Sequence, residues 1–128
     1  MKYLIDTHIL LWMASEQTQI SSKIRKILSD EKCEIYLSVA SIWEMAIKIS
    51  LGKLGLPVEL KQFIQAQVLD NGIILMSVKK EHTYLLTKLP FHHRDPFDRL
   101  LVSQSSVEDL AILTADKIFK KYDIQSIF

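Results

Sequence analysis

The sequence predicts an α/β fold, a three-layer α/β/α sandwich around a central parallel sheet of four or five short strands. Short apolar segments of strand length alternate along the chain with longer segments of helical periodicity. Parallel strands require such helical crossovers. Acidic residues also follow several of the strand-like segments. In this fold the carboxyl ends of the strands and the amino ends of the helices share one edge of the sheet, where ligands bind.

Length and composition are those of a single domain, predicted to cover residues 1–128. The chain has 128 residues, of which 48% are hydrophobic, enough to bury a core without disulfides or a structural metal. Cys33, the one cysteine, cannot form an internal disulfide, which favours a reducing cytoplasm. No apolar run approaches the roughly 20 residues that span a bilayer, so we expect no membrane partner. The net charge of +1 means that a nucleic-acid partner would need a local patch.

The first half of the chain predicts two strands and four helices. Residues 2–6 and 34–38 are short apolar segments typical of buried strands. Ser41 and Glu44 match the capping-box spacing and predict the start of a helix that ends near Gly52. The other predicted helices cover residues 7–15, a segment opening at Ser21 or Ser22, and residues 57–69.

The second half predicts the remaining strands and a prominent helix. Asp95 followed by Pro96 is a strong helix-start signal, because Asp caps free amides and Pro has no amide to leave unpaired. The remaining predicted helices cover residues 79–88 and 116–121, and the predicted strands cover residues 73–77, 111–114 and, at an edge, 124–128. The alternation of strands and helices is therefore kept to the end of the chain.

Four acids occupy the edge where strands end and helices begin: Asp6, Glu44, Asp98 and Asp116. Each alone has a structural explanation as a helix cap or first-turn acid. Together they would repel one another by roughly 1 kcal/mol per pair at 4 Å in water, and about 4 kcal/mol at an effective dielectric of 20. Bound cations would offset this repulsion, and an all-carboxylate site suits Mg²⁺ or Mn²⁺ rather than Zn²⁺. Such ions can hold a phosphodiester and support its in-line hydrolysis.

The segments around these acids carry a family resemblance. They are residues 4–8 (LIDTH), 41–44 (SIWE), 95–101 (DPFDRLL) and 113–116 (LTAD). In order, spacing and total length they resemble the four acidic motifs of PIN-domain ribonucleases, especially the VapC-type toxins of bacterial and archaeal toxin–antitoxin pairs. The resemblance extends over the whole chain and implies a PIN-like fold.

The resemblance implies a Mg²⁺- or Mn²⁺-dependent endoribonuclease, usually a homodimer, that a cognate antitoxin silences. It assigns metal binding and catalysis to the four acids named above. Thr7 and Thr114 match the small hydroxyl residues that accompany these acids, and either orient carboxylates and water or serve as ordinary helix caps. We favour Asp98 over Asp95 as the ligand, because Asp98 aligns with the acid that precedes the apolar helix. Asp95 is then a cap.

Basic residues in the loop before this helix and near the start of the helix are candidates for substrate binding. Arg94, Arg99 and His93 would contact RNA phosphate, with simple solvent exposure as the alternative. His92 and His93 are poor candidates for a shared metal ion, because adjacent residues of an extended loop point apart. A basic end to the last short helix, Lys117, Lys120 and Lys121, extends this surface or is simply solvated.

Trp12 and Trp43 lie in apolar helical segments. Base stacking is possible for both, but core packing is the favoured prediction. Cys33 has no basic neighbour in sequence that would lower its pKa, so we assign it no chemistry.

Three other functions remain open at this point. A phospho-acceptor receiver domain also gathers acids at strand ends, but it would place paired acids after the first strand, where this chain has only Asp6. A non-catalytic protein-binding module would use the acids merely as caps. A nuclease that cuts DNA would share the same metal chemistry, because that chemistry needs no 2′-hydroxyl.

Overall fold

A computed structural model describes all residues, 1–128, and its centre is a parallel sheet of five strands. The strands are β1 (Lys2–Ile5), β2 (Glu34–Ser38), β3 (Ile74–Met76), β4 (Ala111–Leu113) and β5 (Ser126–Ile127). They lie in the order β3-β2-β1-β4-β5, and every neighbouring pair is parallel. Because β1 is central, Tyr3 pairs with Ile35 on one side and Ala111 on the other. The predicted parallel sheet is confirmed, with its edge strands shorter than predicted.

Six helices surround the sheet. They are α1 (Thr7–Ser15), α2 (Ser22–Ser29), α3 (Val39–Ser50), α4 (Leu60–Ile64), α5 (Lys80–Leu86) and α6 (Pro96–Glu108). Gln17–Gln19 and Lys117–Lys121 form short 3₁₀ helices, and Gln65–Leu69 continues α4 as a π-helical turn. The prediction of a helix starting at Pro57 was wrong by three residues, because Glu59 is still extended and α4 begins after it. No helix in the structure is both long enough and apolar enough to cross a bilayer.

The start of α3 differs from the sequence prediction. Ser38, not Ser41, is the cap, and its side chain accepts a hydrogen bond from the Ala40 amide at 3.1 Å. Strand β2 runs directly into α3 without a loop, so Ser38 is the last extended residue and Ser41 already lies inside the first turn. Ser41 and Glu44 are therefore both buried within α3 and face the sheet edge.

Side chains from the two faces of the sheet enter two separate apolar layers. Adjacent residues of β1 show the alternation, because Ile5 packs with the α1 residues Ile9 and Leu10 while Leu4 packs with Leu101 of α6. Successive residues of a strand point to opposite faces. The sheet is thus covered on both sides, and the predicted three-layer sandwich is confirmed.

Candidate metal centre

Asp6 is the first residue after β1 and caps α1. Its carboxylate accepts a hydrogen bond from the His8 amide at 3.4 Å, and only 4% of the residue is exposed. The Thr114 hydroxyl, which follows β4, donates to Asp6 Oδ2 at 2.8 Å. The same hydroxyl accepts the Asp116 amide at 3.0 Å. Thr114 therefore links the acid after β1 to the backbone of the acid after β4.

Glu44 reaches the same edge from the second turn of α3 and is 6% exposed. Thr7 Oγ1 lies 2.8 Å from Glu44 Oε1 and 2.9 Å from Ser41 Oγ. Because a threonine hydroxyl has one proton, Thr7 donates to the carboxylate and accepts from Ser41. The ammonium of Lys48, one turn further along α3, lies 3.0 Å from Glu44 Oε2. Glu44 is thus held at both oxygens, and one lysine offsets its charge.

Asp98 lies in the first turn of α6, and its carboxylate has no hydrogen-bond or ion-pair partner like those of Asp6 and Glu44. Asp95 caps this helix and accepts the amides of Phe97 and Asp98 at 2.7 and 3.4 Å. Burial, as the largest cause, and the nearby charges of Asp95, Asp6 and Glu44 together raise the pKa of Asp98 to about 7, while His93 opposes the shift. Carboxylates from two other chain segments, those of Asp6 and Glu44, therefore lie near enough to disfavour ionisation of Asp98.

Asp116 caps the 3₁₀ helix Lys117–Lys121, and its Oδ1 accepts the Ile118 amide at 2.9 Å. Its other oxygen lies 2.8 Å from His93 Nε2. The ring of His93 is buried and stacks parallel to the Tyr122 ring, with centroids 5.5 Å apart. The centroid of the Phe119 ring lies 4.6 Å from that of His93. Two aromatic side chains therefore fix the imidazole that holds Asp116.

The hydrogen bonds around His93 indicate where its proton lies. The His93 amide donates to the Tyr122 hydroxyl oxygen at 2.9 Å, and that oxygen lies 3.1 Å from His93 Nδ1. A hydroxyl that accepts the amide has its own proton available for Nδ1, which leaves the imidazole proton on Nε2, facing Asp116. His93 then orients the carboxylate, in the way that a hydrogen-bonded partner orients a metal ligand.

The donor atoms present fit a hard divalent cation. A carboxylate oxygen of Asp98 and one of Asp116 lie within 4.8 Å of each other, and the His93 ring that holds Asp116 lies within the same distance of both. A cleft of about 270 Å³ opens beside them and is lined by Asp6, His8, Trp12, Ala115 and Asp116. Carboxylate oxygens are the ligands that Mg²⁺ and Mn²⁺ prefer. A cation here would also relieve the repulsion that raises the pKa of Asp98.

The structure places the sequence-predicted basic residues in different settings. Arg94 is exposed and follows His93 in the loop before α6. Arg99, in contrast, is buried, and its guanidinium donates to the carbonyls of Pro90 and Leu86 at 2.8 and 3.1 Å and covers the Phe91 ring at 3.9 Å. In this arrangement Arg99 fixes the loop before α6 and has no free face for a phosphate. The lysines of the last 3₁₀ helix are exposed, and Lys117 lies 3.9 Å from the centroid of the Phe128 ring.

The sequence analysis did not name several contacts at the site. The ion pair of Lys48 with Glu44 could have been predicted, because Glu and Lys four residues apart meet on one helix face. The contact of His93 with Asp116 joins residues 23 apart and had no sequence signal. The core-packing prediction was wrong for Trp43, which is 62% exposed, whereas Trp12 is half-buried and packs against the main core.

Comparisons with known proteins identify the family of this chain. The family model of the PIN domain matches residues 3–125, and no curated protein shows a significant sequence match. Among solved structures, the chain is similar to VapBC2 from Rickettsia felis bound to a DNA fragment from its promoter, with a TM-score of 0.72, 17% identity and coverage of 99% of this chain and 98% of that chain.

Two further structures show the same likeness. VapBC-1 from nontypeable Haemophilus influenzae matches with a TM-score of 0.68, 17% identity and coverage of 99% and 97% of this chain and that chain. A toxin–antitoxin complex from Klebsiella pneumoniae matches with a TM-score of 0.66, 14% identity and coverage of 98% and 96%. At these identities the likeness is one of fold. The family model, however, matches nearly the whole chain, and the protein therefore belongs to the PIN domain family.

Proposed function

We propose that this protein is a Mg²⁺- or Mn²⁺-dependent endoribonuclease and the toxin of a toxin–antitoxin pair. One observation carries the proposal. At the carboxyl edge of a PIN-family sheet, Asp98 is close enough to Asp6 and Glu44 for their charges to help raise its pKa to about 7, and it lies within 4.8 Å of Asp116. Caps need no such clustering, because each helix start could be satisfied by its own acid at a distance from the others.

In this proposal the four acids have different roles. Asp6 and Asp98 are the main ligands of the metal ion, and Asp116 and Glu44 complete its site. Thr114 and His93 hold Asp6 and Asp116 by hydrogen bonds at 2.8 Å, and Thr7 holds Glu44. A bound Mg²⁺ or Mn²⁺ supplies Lewis-acid chemistry, which binds phosphate oxygens, acidifies water and stabilises the charge of an in-line displacement.

Asp98 is the acid whose protonation state changes near neutral pH. With a pKa of about 7 it is roughly half protonated at pH 7 in the metal-free protein. Its ionisation becomes favourable when positive charge enters the cluster. Asp98 therefore couples proton release to occupation of the site.

Substrate phosphate is held by exposed basic groups at the same edge. Arg94 is the best placed of the predicted residues, because it is exposed and lies next to His93 in the loop before α6. His93 itself is buried and contributes through Asp116, and Arg99 contributes by fixing the loop. Exposed Lys117, Lys120 and Lys121 extend the positive surface from the last 3₁₀ helix.

The proposed partners follow from the similar structures, which are toxin–antitoxin complexes. We propose a cognate antitoxin that covers the acid cluster, a homodimer as the free form, and action in the cytoplasm. The substrate class is RNA rather than DNA. A cleavage assay must include both, because metal-assisted hydrolysis does not itself require the 2′-hydroxyl.

The test is cleavage of a mixed RNA pool and of matched single-stranded DNA with Mg²⁺, Mn²⁺ or EDTA. Asp98→Asn should lower metal-dependent RNA cleavage by more than about 100-fold, since even outer-shell partners of metal ligands cost 10- to 100-fold. Glu108→Gln is the matched control, because it makes the same acid-to-amide change at the other end of α6. It should cut RNA like the wild type.

Three results would decide between the alternatives. Equal cutting by Asp98→Asn and wild type would remove Asp98 from the site. Cutting of DNA in preference to RNA would reassign the substrate. No cutting under any condition, together with no calorimetric Mn²⁺ binding, would favour a non-catalytic binding module.

A further inference from the structure

Trp43 and Phe97 form an aromatic platform on the surface beside the acid cluster. We propose that this platform stacks an unpaired base of the RNA next to the phosphate that is cut. The proposal rests on the proposed nuclease function and adds a substrate-positioning element to it. Neither residue carries a group that could bind metal, so the platform is separate from the acids themselves.

Sequence position ties the platform to the site. Trp43 immediately precedes Glu44 on α3, and Phe97 immediately precedes Asp98 on α6. The two rings contact edge to face, with centroids 5.2 Å apart and planes at 76°. The pair therefore bridges the two helices that deliver Glu44 and Asp98. A nucleotide whose phosphate lies at the acids would have its base, or that of its neighbour, within reach of these rings.

The exposure of Trp43 is not explained by packing within the chain. The neighbouring residues Ser41, Glu44 and Met45 are all buried, whereas Trp43 is 62% exposed and has Phe97 as its one aromatic contact. Phe97 is half-buried and supports the indole from one side. The other part of the indole is open, as a surface for stacking must be.

The chemistry at the edge of the platform favours a nucleobase as the occupant. Stacking on an aromatic face accepts any base, and unpaired bases offer their faces whereas duplex bases do not. The adjoining acids would disfavour an acidic protein segment directly beside the ring. The same acids attract a phosphodiester once a cation is bound, which brings a base to the platform together with its phosphate.

The test combines protein variants with abasic positions in the RNA. A short single-stranded RNA that the wild type cuts at one position is prepared with a single abasic site at each nucleotide flanking the cut. In the wild type, one flanking abasic site should lower kcat/KM by about 5- to 100-fold, the range expected for loss of one base–aromatic stack. Trp43→Ala should lower kcat/KM on the intact RNA by a similar factor, mainly through KM.

The decisive result is non-additivity. On the RNA that carries the sensitive abasic site, Trp43→Ala should cause no further loss, because the stack has already been removed. Trp43→Phe should restore most of the activity on intact RNA. Tyr84→Ala is the matched control, since Tyr84 is also an aromatic residue with 62% exposure but lies on α5. It should leave both the activity and the abasic sensitivity unchanged.

A binding measurement separates this proposal from catalysis. The chain has two tryptophans, so Trp12→Phe leaves Trp43 as the sole indole reporter. In that protein with Asp98→Asn added to prevent cutting, the intact RNA should quench Trp43 fluorescence, and the sensitive abasic RNA should quench it several-fold less. The readout requires no turnover.

Other outcomes would overturn the proposal in different ways. If Trp43→Ala and wild type respond equally to every abasic site, the platform binds no base, although the nuclease function stands. If Trp43→Ala instead shifts the sedimentation of the free protein from dimer to monomer while its kcat/KM per folded site is unchanged, the platform is a contact between copies. Failure of the wild type to cut any RNA would reject the proposed function itself.

Discussion

The two ends of α6 carry acids in opposite circumstances. Asp98 is in the first turn, where the helix dipole favours negative charge, and Glu108 is the last residue, where the dipole disfavours it. The pKa values are the reverse of what the helix dipole alone would produce. Burial and neighbouring carboxylates raise the pKa of Asp98 to about 7, whereas a hydrogen bond from His82, together with Lys79, lowers the pKa of Glu108.

The difference lies in the partners that the tertiary structure supplies. Nδ1 of the fully buried His82 accepts the Lys79 amide at 2.9 Å, so its proton is on Nε2, which donates to Glu108 at 2.9 Å. The Lys79 ammonium lies 3.4 Å from the same carboxylate. The negative charge of Glu108 is thus balanced by Lys79, and its carboxylate joins α6 to α5 through His82, while Asp98 lies among other acids. An acid left without a counter-charge, next to a cleft, is a candidate for binding a cation.

Among residues that do not themselves bind metal in this proposal, the largest expected effect concerns His93, which resembles His82 in being a buried imidazole that donates to a carboxylate. His93→Ala should weaken Mn²⁺ binding by about 10- to 100-fold, because Asp116 loses the group that orients it. Isothermal titration of folded protein with Mn²⁺ measures this, and His93→Gln, whose amide can still donate, should recover part of the affinity. Unchanged Mn²⁺ affinity in His93→Ala would mean that Asp116 needs no positioning.

The next effect is on stability at the other end of α6. Glu108→Gln should lower the free energy of unfolding at pH 7 by about 0.5 to 1 kcal/mol, because the amide oxygen still accepts from His82 and only the solvent-screened attraction between charges is lost. Because the pKa of Glu108 is lowered, its contribution is present above its ordinary value of 4.5 and is lost as pH falls through the folded-state value. Urea unfolding of both proteins at pH 7 and pH 3 should show the difference shrinking at low pH.

Asp98→Asn should raise the free energy of unfolding, in contrast to Glu108→Gln, which should lower it. In EDTA at pH 8 it should stabilise the protein by about 1 kcal/mol, a value reduced for solvent screening because Asp98 is only half-buried. A raised pKa means that the folded state holds the proton more tightly, so wild-type stability falls as pH rises from about 4 to about 7.

Thermal unfolding in EDTA across that pH range measures the fall as the difference between wild type and Asp98→Asn. A difference that is constant with pH would show that Asp98 titrates normally. Added Mg²⁺ should raise the melting temperature of the wild type at pH 8 more than that of the variant, since binding to the folded state stabilises it.

Asp95→Ala has the smallest predicted effect on metal binding and separates the cap from the cluster. Loss of the cap should cost about 0.5 to 2 kcal/mol of stability. Because the charge of Asp95 raises the pKa of Asp98, the variant should also shift that titration to lower pH, which carboxyl-resolved NMR can follow. The folded variant should still bind Mn²⁺ and cut RNA, and loss of Mn²⁺ binding would instead make Asp95 a ligand.

Much of the fold was accessible from local signals. Helix α1 and strand β2 begin and end at the predicted residues, because short apolar segments and capping residues delimit them clearly. Errors occurred where local signals compete. Ser38 and Ser41 both suit a helix start, and only the direct passage of β2 into α3 selects Ser38.

The sequence by itself determined the order of strands and helices, the parallel sheet and the four acids of the candidate site, because periodicity and chain order place strand ends and helix starts on one edge. Tertiary structure decided which side chains have partners. Arg99 is buried against loop carbonyls, and Trp43 is exposed. Glu108 is hydrogen-bonded to His82, whereas Asp98 lies among other acids. These outcomes depend on contacts between distant segments, which no local pattern records.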